Sequence, residues 1–264
     1  MKNILVTGAT GTLGRALIKK LLEQHFQVSA LSSRQNPLLP PEVKIYRGNL
    51  ATNSGLSEAV HNNDVIIHCA SDPADHRQVD VAGTRALLDA TGKKRDIHFI
   101  YISIAGIEKS DYSYYKAKKE AEDLIREHSL SWSVLRTTQF HSFILKFIES
   151  FDNNKEQPII IPEGMRFQSV DVAEVAGRLT ELIKEGPLGL LPALGGPEVL
   201  CFEEMMEMYL QISGRNDIVQ VKPLQAAKYD LFRSGVNLCP QHADGKITWE
   251  QFLRSGPLKE RIER

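Results

Sequence analysis

Ile4-Leu5-Val6-Thr7-Gly8-Ala9-Thr10-Gly11-Thr12-Leu13-Gly14-Arg15-Ala16-Leu17 runs from an apolar stretch through a glycine-rich turn into the start of an amphipathic segment. The apolar residues closed by Thr-Gly read as a buried strand. The glycines that follow fall as GxxGxxG. Gly8 would permit a tight turn, Gly11 would let the main chain approach a pyrophosphate, and Gly14 would let the next helix lie close on the strand. Amides at the helix start would then face the phosphates, reinforced by the positive end of the helix dipole. Thr10, Thr12 and Leu13 belong to the same turn and are read with the glycines as nucleotide contacts. A lone glycine triplet is a weak signal, but strand, turn and helix in this order make it a specific one.

Outward from that turn, Val- and Ile-rich runs alternate with helical patterns. Strands are expected at Asn3–Thr7, Gln27–Leu31, Lys44–Arg47, Val65–Cys69, Ile97–Ser103 and Ser131–Arg136. Helical spacing fills the gaps at Leu13–Gln24, Leu56–His61, Arg77–Thr91 and Ser113–His128. Single helices between buried strands imply right-handed crossovers and a parallel sheet covered on both faces. The fold class is therefore α/β, a doubly wound parallel sheet. After Thr138 the alternation lapses. A helix over Gln139–Phe151, a polar break over Asp152–Pro158 and a short strand at Ile159–Ile161 come first. A helix over Val172–Lys184, a Gly/Pro-rich stretch at Gly186–Pro197 and a helix over Glu203–Gly214 follow. The expected division is a dinucleotide-binding domain over 1–138 and a smaller, less regular substrate lobe over 139–264. That lobe is expected near the carboxyl edge of the sheet, where open α/β folds bind ligands.

Composition narrows the function classes. Hydrophobic residues make up 42% and charged residues 25% of the 264, enough for a sizeable core. The 32 Lys and Arg nearly balance the 33 Asp and Glu, so no overall field favours nucleic acid or an anionic membrane. The basic runs Lys93, Lys94, Arg95 and Lys116, Lys118, Lys119 are too short to change that. No stretch approaches the roughly 20 apolar residues of a membrane span, and the amino end lacks a signal peptide's layout. Cys69, Cys201 and Cys239 are scattered and read as free thiols, so a cytoplasmic location is expected. No His, Cys and carboxylate group has metal-ligand spacing, and no metal is expected.

With the glycine turn in place, VTGATGTLGRAL resembles the opening of the short-chain dehydrogenase/reductase superfamily in its extended or atypical branches. The likeness continues at Arg47-Gly48-Asn49-Leu50, similar to the family's GDL segment after the third strand, and at His68-Cys69-Ala70-Ser71, where relatives carry a small-residue loop. Tyr101-Ile102-Ser103 and Ser131-Trp132-Ser133-Val134-Leu135-Arg136 resemble the fifth and sixth strands. Gly195-Gly196-Pro197-Glu198 is similar to a late motif of NmrA-like and epimerase-like relatives. The resemblance implies a Rossmann fold and an NAD(P)-dependent oxidoreductase, with Asn49, Leu50, Cys69, Ala70 and Ser71 beside the cofactor.

A preference for NAD usually shows as a carboxylate at the end of the second strand, on the ribose 2′-hydroxyl. Here the segment reads Val28-Ser29-Ala30-Leu31-Ser32-Ser33-Arg34, without one. Arg34 lies twenty residues after Gly14, and its guanidinium could hold a 2′-phosphate in a bidentate pair, with Ser33 adding a hydroxyl. Relatives often carry the arginine where Ser33 stands. NADP(H) is favoured, with NAD(H) left open.

Catalysis in the superfamily uses a Tyr four residues before a Lys on one helix. The ammonium favours ionisation of the phenol, which passes a proton to or from the substrate oxygen. Tyr112/Lys116, Tyr114/Lys118 and Tyr115/Lys119 all have that spacing. Tyr114 and Lys118 continue the apolar stripe of Ala121 and Ile125, whereas Lys116 lines up with Glu120 and Lys119 with Glu122, pointing those pairs towards water. Tyr114/Lys118 is selected, and it matches the family's Y-x-x-A-K form. The companion serine maps to Ser103, placed to bind a substrate oxygen. Asp72, Asp75 and His76 read as loop residues near the cofactor. Gln139, Phe140, His141 and Phe143 follow the sixth strand, where relatives line the substrate pocket, and Thr137-Thr138 replaces their usual proline.

Three functions share this pattern. The first is an NADP(H)-dependent reductase or dehydrogenase of a small carbonyl or alcohol. The second is a silent dinucleotide sensor of NmrA-like type that binds a protein partner. The third is a nucleotide-sugar epimerase-like isomerase.

Overall fold

The Val- and Ile-rich runs of the inner strands form because their side chains are buried on both faces of one sheet, whereas the edge run Lys44–Arg47 buries only Tyr46. In the computed structural model, which describes residues 2–92, 96–152 and 158–255, the order is as follows. Strand β1 (Asn3–Thr7) leads into α1 (Thr12–Glu23), β2 (Gln27–Ser32), β3 (Lys44–Arg47), α2 (Leu56–His61) and β4 (Val65–His68). A π-helical segment, Arg77–Ala82, runs directly into α3 (Gly83–Asp89). β5 (His98–Ile104), α4 (Ser113–Glu127) and β6 (Ser131–Thr137) complete the regular alternation. Beyond it come α5 (His141–Asp152), β7 (Ile159–Pro162), β8 (Arg166–Phe167), α6 (Val172–Glu185) and β9 (Gly189–Leu190). The last elements are β10 (Leu200–Cys201), α7 (Phe202–Ile212), β11 (Val219–Lys222), α8 (Ala227–Ser234) and α9 (Trp249–Ser255).

The main sheet has seven strands in the order β3-β2-β1-β4-β5-β6-β9. Its strands pair in parallel, with Leu5 opposite Ser29 on one side and Ile66 on the other. Leu5, Ile66, Phe99 and Tyr101 pack with Ala121 and Ile125 of α4 into one core cluster. Leu13, Leu17, Ile18 and Leu21 form the buried stripe of α1. Because β1 lies between β2 and β4, the connections diverge there, and the crevice beyond its carboxyl end is the topological switch point.

Two compact units divide the chain. One comprises Met1–Ser103, Ser113–Arg136 and Val175–Pro192. It takes in β9, which lies within the stretch read as only Gly/Pro-rich and pairs Gly189 with Ser133 of β6. The other comprises Ile104–Tyr112, Thr137–Glu174 and Ala193–Arg264. It holds two small sheets, β10-β8 and β11-β7, and an aromatic core in which Phe167 and Phe232 have ring centroids 4.6 Å apart. Trp249 is fully buried there, its indole N–H bonded to the Met205 carbonyl at 3.1 Å. Lys93, Lys94 and Arg95, and most of the expected polar break at Asp152–Pro158, lie outside the described residues; Asp152 itself ends α5. Among the described residues no helix is long and apolar enough to cross a membrane.

Candidate functional site

The segments that follow β1 to β4 line a cleft of about 400 Å³, within the range of small-molecule sites. Its floor is the glycine turn. Gly8 adopts φ +67°, and a Cβ there would sit 2.7 Å from the Cys69 carbonyl and the Ala70 amide of the neighbouring strand's loop. A Cβ on Gly14 would meet the Gly8 carbonyl oxygen at 2.2 Å, so α1 lies directly against the turn. Gly11 caps α1 with no side-chain hydrogen bond, and the first turn of the helix holds no acidic residue. The first-turn amides are therefore left to an anion. These features fit a dinucleotide pyrophosphate.

Of the residues expected to hold the cofactor, Gly8, Thr10 and Gly11 line the floor, and Ser33, Arg34, Asn49 and Leu50 line one wall. Cys69, Ala70 and Ser71 line the opposite wall. Thr12, Leu13 and Gly14 form the first turn of α1 and are not among the lining residues, and neither is Lys118. Asn49 is engaged locally, its Oδ1 accepting the Ala51 amide at 2.9 Å. Burial pushes the Cys69 thiol up to about 12, so it keeps its proton at neutral pH. Arg34 is exposed at the end of β2, and its amide is held by Ser32 Oγ at 3.2 Å. Arg47, at the end of β3, pairs in register with Ser32 and donates to the Gln35 carbonyl at 3.4 Å. That second guanidinium beside the Ser32–Arg34 turn was not singled out from the sequence, although strand pairing would have placed it there.

A polar network, open to solvent at Ser71 and buried at Asp80 and Lys118, joins the cleft wall to α4. The Tyr114 hydroxyl lies 2.7 Å from Ser71 Oγ. Ser71 donates to Asp80 Oδ1 at 2.7 Å, and the Asp72 amide donates to Asp80 Oδ2 at 3.1 Å. Asp80, carried on the π-helical segment, is wholly buried. Lys118 Nζ sits 3.5 Å from Asp80 Oδ1, donates to the Ile102 carbonyl at 2.9 Å and lies 4.1 Å from the Tyr101 ring centroid. Burial pulls the Lys118 ammonium below its ordinary value, and Asp80 opposes that pull. Tyr101 is pushed well above its ordinary value, first by burial and then by Asp80.

The tautomer of the next group follows from hydrogen counting. Thr84 Oγ1 gives its one hydrogen to the Asp80 carbonyl, so His68 Nε2 must donate to Thr84 at 2.9 Å. His68 Nδ1 then accepts from Thr7 Oγ1 at 2.6 Å. Burial drives His68 down to about 3, so the ring is neutral. Thr7, His68 and Thr84 thus tie the ends of β1 and β4 to the helix that carries Asp80.

Placement of the three tyrosine–lysine pairs is mixed. Tyr114 is half-buried and Lys118 buried, as the apolar stripe indicates, and Lys116 is exposed. Tyr115, however, is only 3% exposed rather than facing water. Glu122 is buried as well, because Arg136 of β6 grips both its oxygens at 2.9 and 2.8 Å. Ser103 is buried on β5, its Oγ without a partner among the described residues, and it is not a cleft-lining residue. Ser71, expected only as a cofactor contact, is the serine hydrogen-bonded to Tyr114. Asp80 was missed altogether. Its signal was available: it shares a helical face with Gly83, Thr84, Leu87 and Leu88, and a carboxylate at a core position needs a partner.

Among the remaining candidates, Asp72 lines the cleft and His76 stands edge-on to Tyr114 with centroids 6.2 Å apart. In the second unit, His141 is buried instead of lining a surface. Its Nε2 donates to the Ile247 carbonyl at 2.9 Å and its Nδ1 accepts from Ser169 Oγ at 2.8 Å, which leaves no nitrogen for acid/base work. Gln139 accepts from Asn237 at 3.2 Å, and Phe143 is 44% exposed.

Comparison with known proteins bears on the family and the fold. The family model for NAD(P)H-binding proteins matches residues 8–185. The photosystem II assembly factor Ycf39 of Cyanophora paradoxa is 34% identical over 146 residues, a match covering 52% of this chain and 46% of that protein's length. A (4-alkanoyl-5-oxo-2,5-dihydrofuran-3-yl)methyl phosphate reductase of Streptomyces griseus is 24% identical, over 80% of this chain and 74% of its own. Among solved structures, the Bordetella bronchiseptica enzyme WbmH, in complex with NAD+, superposes with a TM-score of 0.74 at 17% identity, over 99% of this chain and 96% of that one.

Proposed function

The chain belongs to the NAD(P)H-binding family, with the fold of the extended short-chain dehydrogenase/reductases, and on that premise we propose that it is an NADP(H)-dependent oxidoreductase of a small carbonyl or alcohol. One observation carries the reading: the Tyr114 phenol is hydrogen-bonded to Ser71, itself part of the cleft wall. A proton-transferring hydroxyl thus stands one side chain from the place that suits a dinucleotide. When bound, the dinucleotide supplies or accepts the hydride. Tyr114 hands its phenolic proton to the substrate oxygen in reduction and takes one back in oxidation. The Lys118 ammonium stabilises the phenolate left behind. Ser103, with its buried hydroxyl, is the second group assigned to the substrate oxygen. Arg34 and Ser33 hold the 2′-phosphate, which sets NADP(H) ahead of NAD(H).

Tyr114→Phe tests this directly. Reduction of a carbonyl panel with NADPH should fall by about 10²–10⁴-fold, the range of a lost general acid, while NADPH affinity stays near that of the wild type. Retained turnover, or loss of cofactor binding, would refute the role of Tyr114. The likeness to the Ycf39 assembly factor favours a second reading, a dinucleotide-dependent binder of another protein. No NADPH oxidation with any carbonyl, together with cofactor-dependent capture of a partner, would favour that reading over catalysis.

A further inference from the structure

Buried carboxylates are costly, and Asp80 is a wholly buried one on a π-helical segment that neither the glycine turn nor the Tyr/Lys pair explains. π-Helical turns add a residue to the normal repeat and recur at functional sites. Here the extra residue sits between the cleft wall and α4. Each atom of the Asp80 side chain has work. Oδ1 accepts from Ser71 at 2.7 Å and faces Lys118 Nζ at 3.5 Å, and Oδ2 accepts the Asp72 amide at 3.1 Å.

Hydrogen counting gives the network a direction. Ser71 has a single hydroxyl hydrogen, and Asp80, an acceptor only when ionised, takes it. Ser71 must therefore accept at its 2.7 Å contact with Tyr114, so the phenol is the donor. Lys118 is nearly sealed from water, with 3% of its side chain exposed. The other charged or titratable groups around it do not replace Asp80. Glu122, one turn further along α4, is engaged by Arg136 at 2.8 Å. Tyr101 of β5 offers its ring face. His68 is neutral and Cys69 keeps its proton at the end of β4.

We propose that Asp80 is a positioning residue of the Tyr114/Lys118 site, directing the phenol hydrogen through Ser71 and supplying the counter-charge that keeps Lys118 protonated inside the protein. This rests on the catalytic reading of Tyr114 and Lys118. Removing a negative charge loosens every nearby proton, whichever of the two coupled groups releases it first. Asp80→Asn keeps the shape and removes the charge.

The test is an NMR titration of the Lys118 Nζ signal in cofactor-free protein, assigned with Lys118→Met. In Asp80→Asn the midpoint should fall by about one to three pH units. The basic limb of carbonyl reduction by the loaded protein should move the same way. A Lys118 midpoint that does not move would overturn the proposal, whatever the turnover. Should Asp80→Asn alone fail to fold, Asp80→Asn/Lys118→Met should recover a cooperative unfolding transition, because the unpaired charge is gone. A double variant no more stable than Lys118→Met would also overturn it. Undiminished turnover by Tyr114→Phe would instead sink the catalytic reading, leaving the Lys118 titration to judge Asp80 separately.

Discussion

Gly14→Ala puts the glycine turn on trial, and the structure sets the size of the effect. The added methyl would stand 2.2 Å from the Gly8 carbonyl oxygen, 2.7 Å from Ala9 Cα and 2.9 Å from the Ala9 carbonyl carbon. All three are main-chain atoms, so no side chain can rotate away. Relief requires α1 to retreat from the turn by roughly 0.8 Å or more before repulsion subsides. Overpacking of this kind costs about 1–3 kcal/mol of stability. The first-turn amides move with the helix. Losing one charge-assisted bond to a phosphate should weaken cofactor binding about ten- to hundredfold. Gly177→Ala in α6 is the matched control, since nothing lies within 4 Å of its Cβ. There the helix should gain about 0.5–1 kcal/mol, as alanine replaces a mid-helix glycine. Urea unfolding and NADPH fluorescence titration on both variants make the comparison. If Gly14→Ala unfolds and binds as the wild type does, the close seat of α1 on the turn is not what shapes the site.

Two further outcomes are expected. In fluorescence titrations the wild type should bind NADPH more tightly than NADH, and Arg34→Asp should lose about ten- to hundredfold in NADPH affinity with little change for NADH; equal wild-type affinities would remove the assignment of Arg34. His68 is neutral in the folded protein, held down to about 3 by burial, but titrates near 6.5 once unfolded. Its contribution is therefore complete above pH 6.5 and is lost as pH falls towards 3, with a slope of up to about 1.4 kcal/mol per pH unit. Measured between pH 6.5 and about 5, before most carboxylates titrate, the slope should be shallower in His68→Gln; an equal slope would contradict the buried neutral ring.

The alternating half of the fold was legible because parallel strands buried on both faces leave uninterrupted Val/Ile runs that polar helices cannot imitate. β9 was not, since Gly189 and Leu190 are two partly exposed residues with no period to detect. The π-helical turn at Arg77–Ala82 passed for ordinary helix because one added residue within six leaves too little periodicity to tell the two apart. At the site, periodicity placed Lys118 correctly but misplaced Tyr115 and Glu122. A charged side chain was taken as a marker of solvent, and that rule fails where the charge is paired. Glu122 with Arg136, and Lys118 with Asp80, join residues from different elements. One sequence read alone carries no trace of which element will face which.

The amino end of α1 has Gly11 for its cap and no side chain to close it. An anion that settles there completes the helix as a serine or aspartate would elsewhere. Ligand binding to the folded form alone adds stability in proportion to the logarithm of its concentration. The stability of this protein would then follow the supply of its dinucleotide, with occupancy of the crevice and resistance to unfolding rising and falling together.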